Sequence, residues 1–152
     1  MLRDKLSEAL KDAMRARDMA SVGTIRLILA RLKEVDIASR TEANRDGVAD
    51  DRILSMMQGM IKQRNESIVL YEKGNRADLA NKEKAEIVVI ERFLPQQMDE
   101  AAVQAAVNEA IAAAGAKSIK DMGGVMAALK GKYAGQMDFA KASAAVKKTL
   151  AG

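Results

Sequence analysis

Apolar residues recur through most of this chain at three- and four-residue intervals, the spacing that lines up one face of an α-helix. Leu2, Leu6, Leu10 and Ala13/Met14 form such a row, with Asp4, Lys5, Glu8, Lys11 and Asp12 spread around the remaining surface. The pattern breaks at Met19-Ala20-Ser21, and Ser21 can cap a second helix from Val22 to about Ile37 with Val22, Ile25, Leu29, Leu32 and Val35 as its stripe. A polar loop from Ser39 to Gly47 follows, and Asp50 or Asp51 can open a long third helix carrying Ile53, Leu54, Met57, Ile61, Ile68 and Tyr71. Gly74 stands where a C-terminal cap is favoured. A fourth helix from about Asp78 carries Leu79, Ile87, Ile90 and Phe93, and Leu94-Pro95 closes it because a residue before proline avoids helical dihedrals.

Beyond the one proline, Asp99 caps a fifth helix with Val103, Ala106, Val107, Ala110 and Ile111 on one face and Gly115 at its end. Ser118 and Asp121 stand in the S-x-x-D capping relation ahead of Met122, Val125, Met126 and Leu129. Asp138 starts a last short helix with Phe139, Ala142, Val146 and Leu150. The pattern therefore predicts an all-α protein, with a bundle of about four helices over residues 1–95 and a small three-helix tail over residues 96–152.

Composition narrows the chemistry more than the fold. Aromatic residues make up 3% of the chain and tryptophan is absent, so Leu, Ile, Val, Met and Ala must fill the core. Histidine and cysteine are both absent. That removes thiolate and imidazole metal ligands, disulfides, and the Ser-His-Asp, Cys-His and HExxH chemistries, so no metal, no cofactor and no catalytic residue is expected. Arg31, Lys33 and Glu34 cut short the apolar run Ile25–Ala30, far below the ~20 residues of a membrane span. The charged amphipathic start predicts a cytoplasmic chain with no membrane partner.

The net charge of +4 is unevenly placed. Up to Pro95, 18 basic residues face 16 acidic ones; beyond Gly115, Lys117, Lys120, Lys130, Lys132, Lys141, Lys147 and Lys148 face only Asp121 and Asp138. Such a tail is either a solvated surface or a patch that neutralises phosphates. It contains no arginine, which favours backbone contact with nucleic acid over bidentate readout of base edges. Gly123 and Gly124 near a helix start can serve either a close helix crossing or backbone N–H groups aimed at a phosphate.

Two further patterns lie in the first part. Arg64 interrupts the row Met57, Ile61, Ile68 and Tyr71, and a half-buried arginine needs a carboxylate, for which Glu83 or Glu86 on the next helix is placed if the two run antiparallel. Arg26, Lys33 and Arg40 are spaced by sevens, a stripe that could follow a phosphate backbone and is more often a solvated face.

Taken in order, Ile61-Lys62-Gln63-Arg64-Asn65-Glu66-Ser67-Ile68, Tyr71, Gly74, Arg76, Asp78-Leu79-Ala80, Glu83 and Phe93-Leu94-Pro95 resemble the YqeY-like proteins of the GatB/YqeY family. Thr24-Ile25-Arg26-Leu27-Ile28-Leu29 with Glu34, and Asp121-Met122-Gly123-Gly124-Val125-Met126 with Asp138 and Leu150, extend the likeness over nearly the whole chain. The resemblance implies an all-helical protein whose tail is similar to the C-terminal domain of GatB, a component of the glutamine-dependent aspartyl/glutamyl-tRNA amidotransferase, where it is a tRNA-contacting appendage. The label "carbon-nitrogen ligase activity, with glutamine as amido-N-donor" would then come from catalytic domains that this chain lacks. The implied partners are tRNA and an aminoacyl-tRNA synthetase or amidotransferase, in translation. The implied RNA-binding residues are Lys117, Lys120, Gly123, Gly124, Lys130 and Lys132. The family motif commonly has lysine where this chain has Gly124, which places the load on Lys120, Lys130 and Lys132. Met56-Met57 and Met60 could offer an adaptable docking surface for a protein partner, although core packing is the more usual role of such residues.

Overall fold

The computed structural model describes every residue from Met1 to Gly152. It is all-α, with seven α-helices: α1 (Leu2–Arg15), α2 (Met19–Ala38), α3 (Asp50–Lys73), α4 (Ala77–Glu91), α5 (Glu100–Ala114), α6 (Met122–Lys132) and α7 (Phe139–Ala151). The chain divides into two compact units, Met1–Leu94 and Pro95–Gly152. No helix is long and apolar enough to cross a membrane.

In the first unit, Leu2 and Leu6 of α1, Ile28 and Leu32 of α2, Ile53, Met57 and Met60 of α3 and Ile90 of α4 form the core. Burying each large aliphatic side chain contributes on the order of 1.5–3 kcal/mol, so this cluster is the main stabilising element of the unit. The α2 stripe differs from the expected one. Ile28 is fully buried, whereas Leu29 and Val35 are half-buried, because the face turned to the core runs through Ser21, Thr24, Ile25, Ile28 and Leu32, rotated from the expected stripe.

Caps explain several shifts of boundary. Arg17 takes a left-handed φ of 55°, ending α1 and freeing Asp18 to accept from Ser21 N as the N-cap of α2. Ser21 is thus not the cap: it lies one turn inside, with its hydroxyl donating to Asp18 Oδ2 at 2.5 Å and accepting from Arg92 Nη1 at 3.2 Å. Asp50 and Asp51 do not cap α3 either, since Ala49 holds that position without a side-chain bond. The Asp50 carboxylate instead accepts from Leu2 N at 3.2 Å and satisfies an orphan donor at the start of α1. Gly74 ends α3 with a φ of −86°; the left-handed residue is the next one, Asn75, at 56°. Phe93 and Leu94 lie in a turn after α4, bonded to Ile90 O and Glu91 O.

A clasp closes the loop between α2 and α3. Arg3 donates from Nη1 and Nη2 to the two oxygens of Asp36, each at 2.6 Å, and from Nη2 to Val48 O at 2.9 Å. Val48 N donates back to Asp36 Oδ1 at 2.9 Å. The chain reaches this arrangement through Gly47, whose φ of 93° and close approach to the guanidinium both demand a residue without Cβ.

The second unit packs Ala106 and Val107 of α5, Val125 and Leu129 of α6, Met137, and Ala142 and Val146 of α7 around a separate core. Asp99 caps α5 by accepting from Ala102 N, and Gly115 ends it at a φ of 62°. Ser118 and Asp121 form a capping box, but the turn it opens is a short 3-10 segment, Ile119–Asp121, that runs into α6. Asp138 caps α7 through Ala140 N.

Candidate nucleic-acid interface

Because α5, α6 and α7 turn their apolar faces to one core, their lysines are left outside. Lys117, Lys120, Lys130, Lys132, Lys141, Lys147 and Lys148 are all exposed. Lys132 is committed to a neighbour: its Nζ lies 3.4 Å from Glu109 Oε1 on α5 and 5.4 Å from the centroid of the Tyr133 ring. The carboxylate contact raises the Lys132 pKa, and the charge is partly offset. The other tail lysines form no salt bridge with any carboxylate.

The structure does not gather the sequence-predicted RNA-binding residues at one point. Lys117 and Lys120 precede α6, Gly123 and Gly124 lie in its first turn, and Lys130 and Lys132 lie in its last. An eleven-residue helix spans about 16 Å, so the lysines bracket a face rather than converge on it. Gly123, Gly124, Ala127, Ala128 and Gly131 make up that face, all exposed. A Cβ built on Gly123, Gly124 or Gly131 would meet nothing within 4 Å. The close helix crossing considered for Gly123 and Gly124 is therefore not formed in this unit.

The donors just ahead of α6 are also taken. Asp121 Oδ2 accepts from Lys117 N at 2.9 Å and from Ser118 N at 3.2 Å, and these two bonds hold its pKa below the usual carboxylate range. A carboxylate sits where a phosphate would have met free N–H groups. What α6 offers a nucleic acid is a smooth face with cations at both ends.

Lys141 and Lys148 stand seven residues apart on α7, two turns on one side, and line a cleft of about 640 Å³ with Gln97, Gln104 and Met137. Their i, i+7 spacing is visible in the sequence, but the cleft is not, because its other wall comes from residues some forty positions earlier. Glu100 and Asp138 line the same cleft, which makes it mixed in charge.

In the first unit, Arg64 donates from Nε to Glu86 Oε2 at 3.0 Å and from Nη1 to Met60 O at 3.2 Å, with Glu83 Oε2 at 3.9 Å. Their side chains are 13%, 16% and 22% exposed for Arg64, Glu86 and Glu83, so the group is a half-buried ion pair between α3 and α4 rather than an open site. Arg26, Lys33 and Arg40 are exposed, but α2 ends at Ala38 and Arg40 leaves the row. Met57 and Met60 are buried and Met56 packs against the same core, so core packing rather than a docking surface accounts for these methionines. No three metal-binding side chains come together.

A family model described as Yqey-like protein matches residues 3–150. The chain belongs to the YqeY-like family. Among curated relatives of this YqeY-like chain is "Altered inheritance of mitochondria protein 41, mitochondrial" of Vanderwaltozyma polyspora, 34% identical over 102 residues, 62% of this chain and 52% of the relative. The protein of the same name from Eremothecium gossypii is 37% identical over 89 residues, 59% of this chain and 46% of the relative. An uncharacterized protein of Schizosaccharomyces pombe is 30% identical over 96 residues, 63% of this chain and 71% of the relative. The chain spans about half the length of most of the curated relatives it matches.

The relatives named "Altered inheritance of mitochondria protein 41, mitochondrial" overturn the cytoplasmic expectation, because that name places them in mitochondria. The charged amphipathic start that suggested a cytoplasmic chain is explained by packing: Leu2 and Leu6 are buried in the core of the first unit. Such a pattern describes a structural helix and carries no information about compartment.

Proposed function

We propose that Pro95–Gly152 of this YqeY-like protein is a non-catalytic module that contacts the sugar–phosphate backbone of structured RNA, tRNA being the class of RNA that its likeness to the amidotransferase tail implies. The observation that carries this reading is the exposed face of α6, built from glycine and alanine and bracketed by Lys117, Lys120 and Lys130, which have no carboxylate partner. Lysines on such a face neutralise phosphates and release counterions without reading bases. Counted over the whole unit, seven lysines face five acidic residues, so the effect is local to this face rather than a property of net charge.

Fluorescence titration with bulk tRNA across about 50–200 mM salt tests it. Binding should weaken steadily with salt, and Lys117→Ala/Lys120→Ala/Lys130→Ala should reduce the log–log slope by about one unit per lysine removed. Lys132→Ala should do less, because Glu109 already holds that charge. Undetectable binding at low salt, or a slope unchanged in the triple variant, would reject the reading.

A second reading, a protein adaptor that docks on an aminoacyl-tRNA synthetase or amidotransferase, draws on exposed Ile37, Leu70 and Val88 in the first unit, which are 62%, 67% and 55% exposed. Nuclease treatment before affinity capture separates the two. Recovery of such an enzyme after digestion supports the adaptor, and loss of all recovered material on digestion opposes it.

A further inference from the structure

Every arginine of the chain lies in Met1–Leu94, and one groove there presents two of them without an acidic residue in its lining. Arg52, Met56, Gly59 and Gln63 follow one face of α3 at helical spacing, and Arg31 and Val35 face them from α2. The groove has a volume of about 450 Å³, within the range of small-molecule sites. Its lining differs from that of the α7 cleft, which contains Glu100 and Asp138, and from the recess at the α2–α3 loop, which contains Glu42.

Three features bear on what the groove takes. Arg52 forms no salt bridge, and Arg31 uses only Nη1 on the exposed Glu34 at 2.7 Å, a surface pair that a better anion displaces at little cost. Both arginines present a planar fork that matches a phosphate in two bonds. Gly59 lies in the middle of α3, where glycine is destabilising relative to alanine, yet a Cβ there would meet nothing within 4 Å. Packing does not require this glycine. Its effect is to leave the groove open beside the half-buried Met56, an apolar, polarizable side chain in the lining.

We propose that the α2–α3 groove binds a nucleoside phosphate, with Arg31 and Arg52 on the phosphoryl group, Gln63 as a polar contact, and the base over Gly59 against Met56. The same chemistry is offered by a free mononucleotide and by a nucleotide within an RNA strand. The site is independent of the tail lysines, so its failure and that of the tRNA reading are separable.

The test is an NMR titration of the full chain with adenosine 5′-monophosphate, following the amides of Ser55, Gly59 and Gln63. The nucleotide should bind at least tenfold more tightly than adenosine. Arg31→Gln/Arg52→Gln, two exposed positions, should lose at least tenfold. Gly59→Met should lose as much by filling the floor, while its thermal midpoint stays level or rises because α3 gains a better helix former. A tetraadenylate carrying only phosphodiesters assigns the source: tighter binding per nucleotide than the monophosphate indicates an RNA strand, and weaker binding a free nucleotide. Equal affinity for adenosine and its phosphate, or unchanged affinity in either variant, overturns the proposal.

Discussion

Replacing Arg64 with leucine is expected to destabilise the first unit by about 2–3 kcal/mol, somewhat less than breaking a fully buried ion pair costs because the group retains some solvent. The loss comes less from the pair itself than from what remains. Glu83 and Glu86 would face each other at 22% and 16% exposure with no cation between them, and Met60 O would lose its donor. The double variant Arg64→Leu/Glu86→Leu should recover part of the loss, since it removes the nearer and more buried of the two orphaned carboxylates, leaving the more exposed Glu83, and adds apolar area between α3 and α4. Urea denaturation of the three proteins checks this. If the double variant is no more stable than Arg64→Leu alone, the arginine is acting through something other than its glutamates.

Gly47→Ala should cost a similar amount, about 2–3 kcal/mol, for a different reason. At a φ of 93° any Cβ is strained, and here it would also collide with Arg3 Nη2 and press on Asp36 Oδ1. The ends of both side chains must shift, which loosens the bidentate pair and its bonds to Val48 O and Val48 N. This clasp carries a pH signature. The Arg3 hydrogen bonds, with a contribution from Val48 N–H, hold the Asp36 pKa below its ordinary value. A lowered folded pKa contributes stability that is fully present above the unfolded value, about 4, and is lost as pH falls through the folded value. The gap between wild type and Gly47→Ala should therefore be widest near neutral pH and narrow under acid. Thermal midpoints at neutral and acid pH measure it, and a gap that widens toward acid would contradict the assignment to Asp36.

Periodicity disclosed the helices because it depends on burial averaged over many residues. Leu6, Met57, Ile90, Val107 and Leu129 stand on the faces that spacing assigned to them, and each is almost fully buried. Caps were less legible, since a cap depends on one carboxylate finding one N–H. Asp18 lies three residues before Ser21 and takes the role that a serine at a pattern break suggested. Asp50 accepts from the first N–H of a helix 48 residues away in sequence, a partnership that no local rule can show. Arg64 was legible for the opposite reason: a charge within an apolar row must be answered, and only the neighbouring helix had carboxylates at the right register.

The site divides in the same way. The tail lysines could be counted from the sequence, but the sign of each one's neighbourhood could not, so Lys132 was grouped with Lys130 although Glu109 offsets it. The Arg31–Arg52 groove joins two helices across a loop, and neither arginine stands out along the chain. Gly59 gave the one local signal, a glycine inside a long helical row with no turn to explain it.

The bare face of α6 has a thermodynamic consequence. Glycine and alanine have no side-chain rotamers to lose, whereas a lysine that becomes fixed forfeits up to about 2 kcal/mol of side-chain entropy. A partner laid along Gly123, Gly124, Ala127 and Gly131 would find a surface already in its bound conformation. The entropic cost to this protein would fall on the lysines at either end, and those that stay mobile over a phosphate would escape most of it.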